Sequence, residues 1–192
     1  MNRKMITAAA LALAMGFMPS IASAAQPKLS NELLSVGQMP VGWSVDNSTS
    51  GTGPGCLAAI MEPRGIKQIA SANVTLVASG GIPLIEEKLA TFSNAATAFK
   101  KITGALDGCK RVSGLSGGVK ATGTVGMMSF PHYGTASAAY SATLQVQGTT
   151  IDADFLLVRE GNVVMGIQEA NLSPVNVSQF RGFVGKALAK LK

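Results

Sequence analysis

The sequence predicts an α+β domain in which an antiparallel β-sheet is covered on one face by two amphipathic helices, with one disulfide. Runs between residues 138 and 157 alternate apolar and polar side chains, as strands with one solvated face do. Tight turns separate these runs, which indicates antiparallel pairing. Stripes with an apolar residue every three or four positions, at 85–106 and 177–191, are typical of amphipathic helices.

Residues 1–24 have the pattern of a secretory signal peptide. A short basic start precedes an apolar run from Ile6 to Ile21, and the small-x-small triplet Ala22-Ser23-Ala24 follows. The apolar run is too short for a membrane span, and no later run is long enough. We therefore expect one extracytoplasmic domain over 25–192, with a flexible start at 25–29 and no transmembrane segment after processing.

The domain is predicted to begin with a helical turn, an extended segment and a strand. Ser30 is expected to cap the turn at 30–34. Residues 39–45 are expected to be extended, and the alternation over 69–79 predicts the first long strand.

A long helix is predicted next. Pro83 suits its first turn, Glu86 and Glu87 suit the positive end of its dipole, and Asp107-Gly108 ends it. Its expected buried stripe is Ile85, Leu89, Phe92, Ala96, Phe99, Ile102 and Leu106.

The second half is predicted as four strands and a terminal helix. The strands are expected at 119–130, 138–147, 151–157 and 163–169, with a hairpin turn at 160–162. Ser173 is expected to cap the terminal helix, with Pro174 at its first position and a buried stripe of Val177, Phe180, Val184, Leu188 and Leu191.

Cys56 and Cys109 are the two cysteines of the chain. In an oxidising compartment such a pair most simply forms a disulfide, which here would join the end of the long helix to the loop before the first long strand. A reactive thiol and half of a metal site are the rival interpretations, but neither cysteine has a histidine or a second cysteine nearby in the sequence. We therefore predict the disulfide.

The charge is mildly basic, with 16 Lys and Arg against 10 Asp and Glu, and only 5% of residues are aromatic. This composition argues against a nucleic-acid partner, because such binders show a dense basic face with aromatic residues. Arg181, Lys186, Lys190 and Lys192 gather on the terminal helix, where they could bind an anionic wall polymer or membrane surface. A solvated helix face is the simpler interpretation of these four residues, and we favour it.

A pattern of residues resembles a known family. It consists of Leu33-Leu34-Ser35, Pro40–Trp43, Cys56, a helix ending in Leu106–Lys110, and a strand-rich second half. Over about 30–192 it is similar to the secreted, lipid-anchored or kinase-linked sensor-domain proteins of mycobacteria and related actinobacteria. The extracellular domain of the PknH-type serine/threonine kinases is a member of that family.

The resemblance implies an antiparallel sheet packed against helices, with a cleft for an unidentified small ligand and no catalytic residues. The chain differs from the kinase domain in having one cysteine pair where two are expected. It also lacks a kinase domain and a membrane span, so the resemblance does not carry signalling in cis to this chain.

Catalytic and metal sites are not predicted. His132 is the single histidine and lies in a Pro-His-Tyr-Gly turn, with no Gly-x-Ser-x-Gly motif in the chain and too few ligands for zinc. Asp152 and Asp154 share one strand face and could perform acid/base chemistry or hold a cation, but the polar, solvated side of a half-buried strand is the stronger explanation for both. We therefore expect no cofactor, no metal and no enzymatic activity.

The remaining functional signal is apolar. Trp43, Met127, Met128, Phe130 and Met165 are flat or adaptable side chains near strands rich in alanine and glycine. Such residues suit a pocket for an acyl chain or another apolar ligand between sheet and helices, although a closed core of the same residues is more common.

Three functions follow from these observations. The first is an exported, non-catalytic ligand-binding or sensor-like protein for an apolar or cell-envelope-derived small molecule. The alternative is a cell-envelope interaction protein that uses the basic helix on anionic surfaces, and the third is a hydrolase built on His132.

Overall fold

The computed structural model describes residues 26–47, 53–57, 61–116 and 118–191. Within these ranges, eight strands form one antiparallel sheet, flanked by three α-helices. The strands are β1 (Ser44–Val45), β2 (Gln68–Val77), β3 (Leu84–Phe92), β4 (Arg111–Ser116), β5 (Val119–Met127), β6 (Ala136–Val146), β7 (Thr149–Glu160) and β8 (Val163–Asn171). The helices are α1 (Gln26–Glu32), α2 (Ala95–Gly108) and α3 (Val177–Leu188).

The sheet order is β1-β2-β3-β8-β7-β6-β5-β4. β6 and β7 pair along their length, from Ala136 opposite Arg159 to Val146 opposite Thr149. β7 and β8 form the hairpin that the sequence predicted, and Gly161 in its turn has a φ of 56°, which favours glycine. The antiparallel sheet predicted from the tight turns is therefore confirmed.

Two separate hydrophobic cores lie on opposite faces of the sheet. Phe155 and Leu157 of β7 pack in the core with α2, whereas Leu156 and Val158 pack in the core with α1 and α3. Since neighbouring residues of a strand point to opposite faces, the helices cover both sides of the sheet. We call these faces the α2 face and the α3 face.

The expectation that two helices cover the same face is therefore wrong. β7 and β8 lie in the middle of the sheet and bury residues in both orientations, as the consecutive buried residues 153–158 show. A strand that is apolar on both sides requires cover on both sides. The solvated surface is instead the part of the α3 face near the β4 edge, where Thr122, Thr124 and Thr143 are exposed.

The first part of the predicted long helix is also wrong. Residues 84–92 form β3, and α2 begins only at Ala95, where the Asn94 side chain accepts a hydrogen bond from the Thr97 N–H at 2.9 Å. The four-residue spacing of Ile85 and Leu89 fits one helix face, but it also fits one strand face because four is a multiple of two. β3 lies between β2 and β8, so its other face is buried as well.

Other differences concern boundaries. α1 begins at Gln26, within the segment expected to be a flexible start, and it includes Ser30 rather than being capped by it. α3 begins at Val177, because the Asn176 side chain accepts from two N–H groups of the first turn, and not at Pro174. β4 was not predicted.

The predicted disulfide is present between Cys56 and Cys109, with a Cα–Cα distance of 5.9 Å. Cys109 is the C-cap of α2, and Cys56 lies in a 3-10 turn (Gly55–Leu57) beside β4. None of the helices in the described ranges has the length and apolar character that a membrane crossing requires.

Candidate functional site

A groove of about 570 Å³ opens between the C-terminal half of α3 and the sheet. The turn before β6 and the last residue of β7 form the opposite wall. The lining residues are Tyr133, Gly134, Thr135, Glu160, Gly185, Leu188, Ala189 and Leu191.

The sheet-side wall depends on a close backbone approach at Gly134. This residue has a φ of +59°, and a Cβ there would lie 2.7 Å from the Arg159 carbonyl oxygen and 2.9 Å from Oε2 of Glu160. The neighbouring Thr135 N–H donates to the same Arg159 oxygen at 2.9 Å. Glycine therefore allows the turn to pack against the end of β7, and it places the Glu160 carboxylate beside the turn.

The helical wall is shaped by small residues. Gly185 and Ala189 are four positions apart and hence lie on one side of α3, with Leu188 and Leu191 half-buried beside them. A Cβ at Gly185 would have no heavy atom within 4 Å, so the space over this residue is open.

An aromatic cluster adjoins the groove. The Phe130 ring centroid lies 6.1 Å from that of Tyr133 and 5.5 Å from that of Phe180, and the Arg181 guanidinium lies 5.4 Å above the Phe130 ring. Tyr133 belongs to both the cluster and the groove. The cluster thus fixes one wall residue through packing against α3.

The five residues predicted to bind a ligand are not brought together at this groove. Trp43 and Met165 are buried in the α3 core, and Met128 and Phe130 are half-buried against it. Met127 is 67% exposed and alternates to the α2 face. None of the five is among the lining residues of the groove. Phe130 does contact Tyr133, which is a lining residue. Their role in ligand binding stays a prediction.

Two lysines of the basic helix contact the segment after α1. Lys186 Nζ donates to the Gln38 carbonyl oxygen at 2.5 Å, and Lys190 Nζ donates to the Leu33 carbonyl oxygen. Lys192 lies outside the described residues. The ammonium groups therefore hold the N-terminal segment against α3 in addition to facing solvent.

A cluster of carboxyl groups lies on the α3 face of β7 and β8. Asp152 accepts a hydrogen bond from Thr143 Oγ1 at 2.8 Å, whereas Asp154, expected on a solvated face, is buried opposite Glu169. Glu169 is fully buried, and neither of its carboxyl oxygens has a hydrogen-bond partner among the described residues. Burial, followed by the charge of Asp154, raises the pKa of Glu169 to about 7.

The α2 face of β3 carries further buried ionisable groups. Glu86 accepts a hydrogen bond from Gln168 Nε2 at 2.8 Å, yet burial raises the pKa of Glu86 to about 8. Lys88 lies 3.8 Å from a carboxylate oxygen of Glu62, and burial lowers the pKa of Lys88. None of these four residues lines the groove.

Glu87 points to the α3 face and joins the sheet to the N-terminal segment. Its Oε2 accepts the Leu34 N–H at 2.6 Å, and burial raises its pKa to about 7. Sequence patterns assigned this residue to a solvated helix start, which the sheet position overturns.

Metal-ligand geometry does not occur in the part of the chain that the structure describes: no three His, Cys, Asp or Glu side chains are close enough to hold an ion. His132 is exposed in the turn before β6.

Comparison with known proteins shows similarity at the level of fold. No protein-family model and no curated protein sequence matches this chain. Among solved structures, the fold is similar to the crystal structure of the extracellular domain of PknH from Mycobacterium tuberculosis, with a TM-score of 0.63 and 13% identity. The similarity covers 88% of this chain and 98% of that chain. It supports the fold relation that the sequence resemblance predicted.

Proposed function

We propose that this protein is an exported, non-catalytic ligand-binding or sensor-like protein for a small apolar or cell-envelope-derived molecule. The groove between α3 and the turn before β6 carries this proposal. Its volume of about 570 Å³ is that of a small-molecule site, and its walls combine apolar side chains with few polar groups.

The extracytoplasmic location is supported by three independent observations. The sequence begins with the pattern of a signal peptide. The described part of the chain contains a disulfide, which persists in oxidising compartments. The fold is similar to that of an extracellular domain.

The groove walls stand on well-packed elements. Phe180 and Val184 of α3 are fully buried in the α3 core, and the end of β7 is paired with β8 up to Glu160 and Val163. A ligand in the groove would contact the helix and the sheet together and would stabilise their packing. At a concentration of 100 Kd, a ligand that binds only the folded form adds about 2.7 kcal/mol of stability.

The experiment compares two glycines of the same helix. Gly185→Leu fills the groove, whereas Gly182→Leu adds the same side chain outside the lining residues; a Cβ at either position meets no heavy atom within 4 Å. Both changes replace a helical glycine, so we expect each variant to be as stable as the original protein or slightly more stable. With Nile red as a neutral apolar probe, we expect G182L to retain the fluorescence increase and G185L to lose it.

Native mass spectrometry of the exported protein from its own host provides the matching measurement. A bound small molecule should accompany the original chain and G182L, and it should be absent from G185L. If G185L binds Nile red and retains a co-purifying molecule as G182L does, the groove is not the binding site and the proposal fails.

A further inference from the structure

We infer that the groove accepts a molecule with an apolar body and one ammonium group, recognised by Glu160 and Tyr133; this inference rests on the function proposed above. The floor and helical wall consist of Gly185, Leu188, Ala189 and, beside the end of α3, Leu191. These residues offer no charge and suit an alkyl or ring body. The chemical identity of the head group therefore depends on the sheet-side wall.

Glu160 provides the charge of that wall. Among the groove-lining residues of the described chain, it is the one with an acidic side chain. A Cβ placed on Gly134 would lie only 2.9 Å from Oε2 of Glu160. The carboxylate therefore lies against the backbone of Gly134, the residue that follows Tyr133.

The lining of the groove includes both a carboxylate and an aromatic ring, the two kinds of group that attract alkylammonium ions. The ring attracts a cation through its quadrupole, and the carboxylate adds a direct charge interaction. Thr135 adds a hydroxyl group to the same wall. An anionic head group in this position would be repelled by Glu160.

Neighbouring cations have other partners. The Arg159 guanidinium donates to the Gly161 carbonyl oxygen at 3.5 Å, Lys190 donates to Leu33, and Arg181 covers the Phe130 ring. Within the described ranges, Glu160 forms no salt bridge. Its negative charge is therefore available to a ligand, although the chain as a whole has a formal charge of +6.

The test uses three probes with the same dodecyl chain: dodecyltrimethylammonium, dodecyl sulfate and dodecyl maltoside, each below its micelle concentration. Isothermal titration of the folded protein at low salt should show tightest binding for the ammonium probe. Glu160→Gln should weaken that binding about two- to fivefold, and added salt should weaken it in the original protein. Glu32→Gln removes a carboxyl group from α1 outside the groove and should leave it unchanged.

The outcomes separate this inference from the proposed function. Equal binding of all three probes, unaffected by E160Q but lost in G185L, overturns the ammonium preference and leaves the groove as a ligand site. Binding of all three probes that survives G185L overturns both. Tyr133→Leu supplies a second variant: it should weaken the ammonium probe selectively, and equal weakening of all three probes would count against recognition by the ring.

Discussion

Replacing Cys56 and Cys109 together by alanine is expected to lower the free energy of unfolding by about 4 kcal/mol, since the disulfide closes a loop with a sequence separation of 53. In the chain-entropy view, the unfolded protein regains the freedom that this cross-link removes. A loss of this size is a large part of the total stability of an ordinary domain.

Urea denaturation of the original protein and the double-alanine variant, each with and without a thiol reductant, measures this effect. Reductant should lower the unfolding midpoint of the original protein to near that of the variant, and it should leave the variant unchanged. If the original protein and the variant have the same unfolding midpoint under oxidising conditions, the prediction is wrong.

The disulfide also protects one edge of the sheet. It fastens the 3-10 turn at 55–57 against β4, the edge strand, where the backbones approach so closely that a Cβ on Gly55 would lie 2.8 Å from the Ser113 carbonyl oxygen. A Cβ on Gly114 would lie 2.5 Å from the Gly55 nitrogen. An uncovered edge strand offers unpaired backbone groups to another chain, so the reduced protein should associate more readily.

The sequence predicted those strands whose two faces differ. β6 alternates exposed and buried side chains from residue 140 to 146, and this period of two is visible without any tertiary information. β3 has no such contrast, because Glu86, Glu87 and Lys88 are all buried. Charged residues favour solvent, so the local pattern assigned Glu86 and Glu87 to a helix start. Only the position of β3 inside the sheet explains the burial of all three side chains.

The groove could not be predicted from local patterns because its walls meet through distant contacts. Gly134 approaches Arg159 and Glu160, which are separated from it by the whole of β6. One local signal did exist. Gly185 lies inside an amphipathic helix, where a glycine costs about 1 kcal/mol relative to alanine and often marks a packing or functional requirement. Leu188 and Leu191 fitted the predicted buried stripe of the terminal helix. Spacing alone cannot distinguish a residue that lines a groove from one that packs in the core.

Stability is expected to fall as pH rises from about 4.5 to about 8, because burial raises the pKa values of Glu86, Glu87 and Glu169 to about 8, 7 and 7 from an ordinary value of 4.5. Between these limits the folded protein holds more protons than the unfolded chain, so the free energy of unfolding decreases with pH. One pKa unit corresponds to about 1.4 kcal/mol, and one unit at each of the three carboxyls already amounts to about 4 kcal/mol.

Charged groups around these carboxyls decide which variants are informative. On the α2 face, Lys88 acts in the opposite sense at alkaline pH, since burial lowers its pKa, and it lies between Glu62 and Glu86. On the α3 face, Lys190 favours the ionised form of Glu87, whereas Asp154 disfavours ionisation of Glu169. Glu169 is therefore the clearest test, because no cation is among the causes of its shift.

Denaturation by urea at pH 5 and pH 8 measures the effect for the original protein and for Glu169→Gln. At pH 5 the two should have similar stability, because glutamine resembles the protonated acid. At pH 8 the variant should be more stable by about 2 kcal/mol, since no proton has to be removed from a buried site. Glu87→Gln should behave similarly, and its amide oxygen can still accept the Leu34 N–H. If E169Q keeps the full slope of the original protein, Glu169 is ionised in the fold, and a partner for its carboxylate must exist.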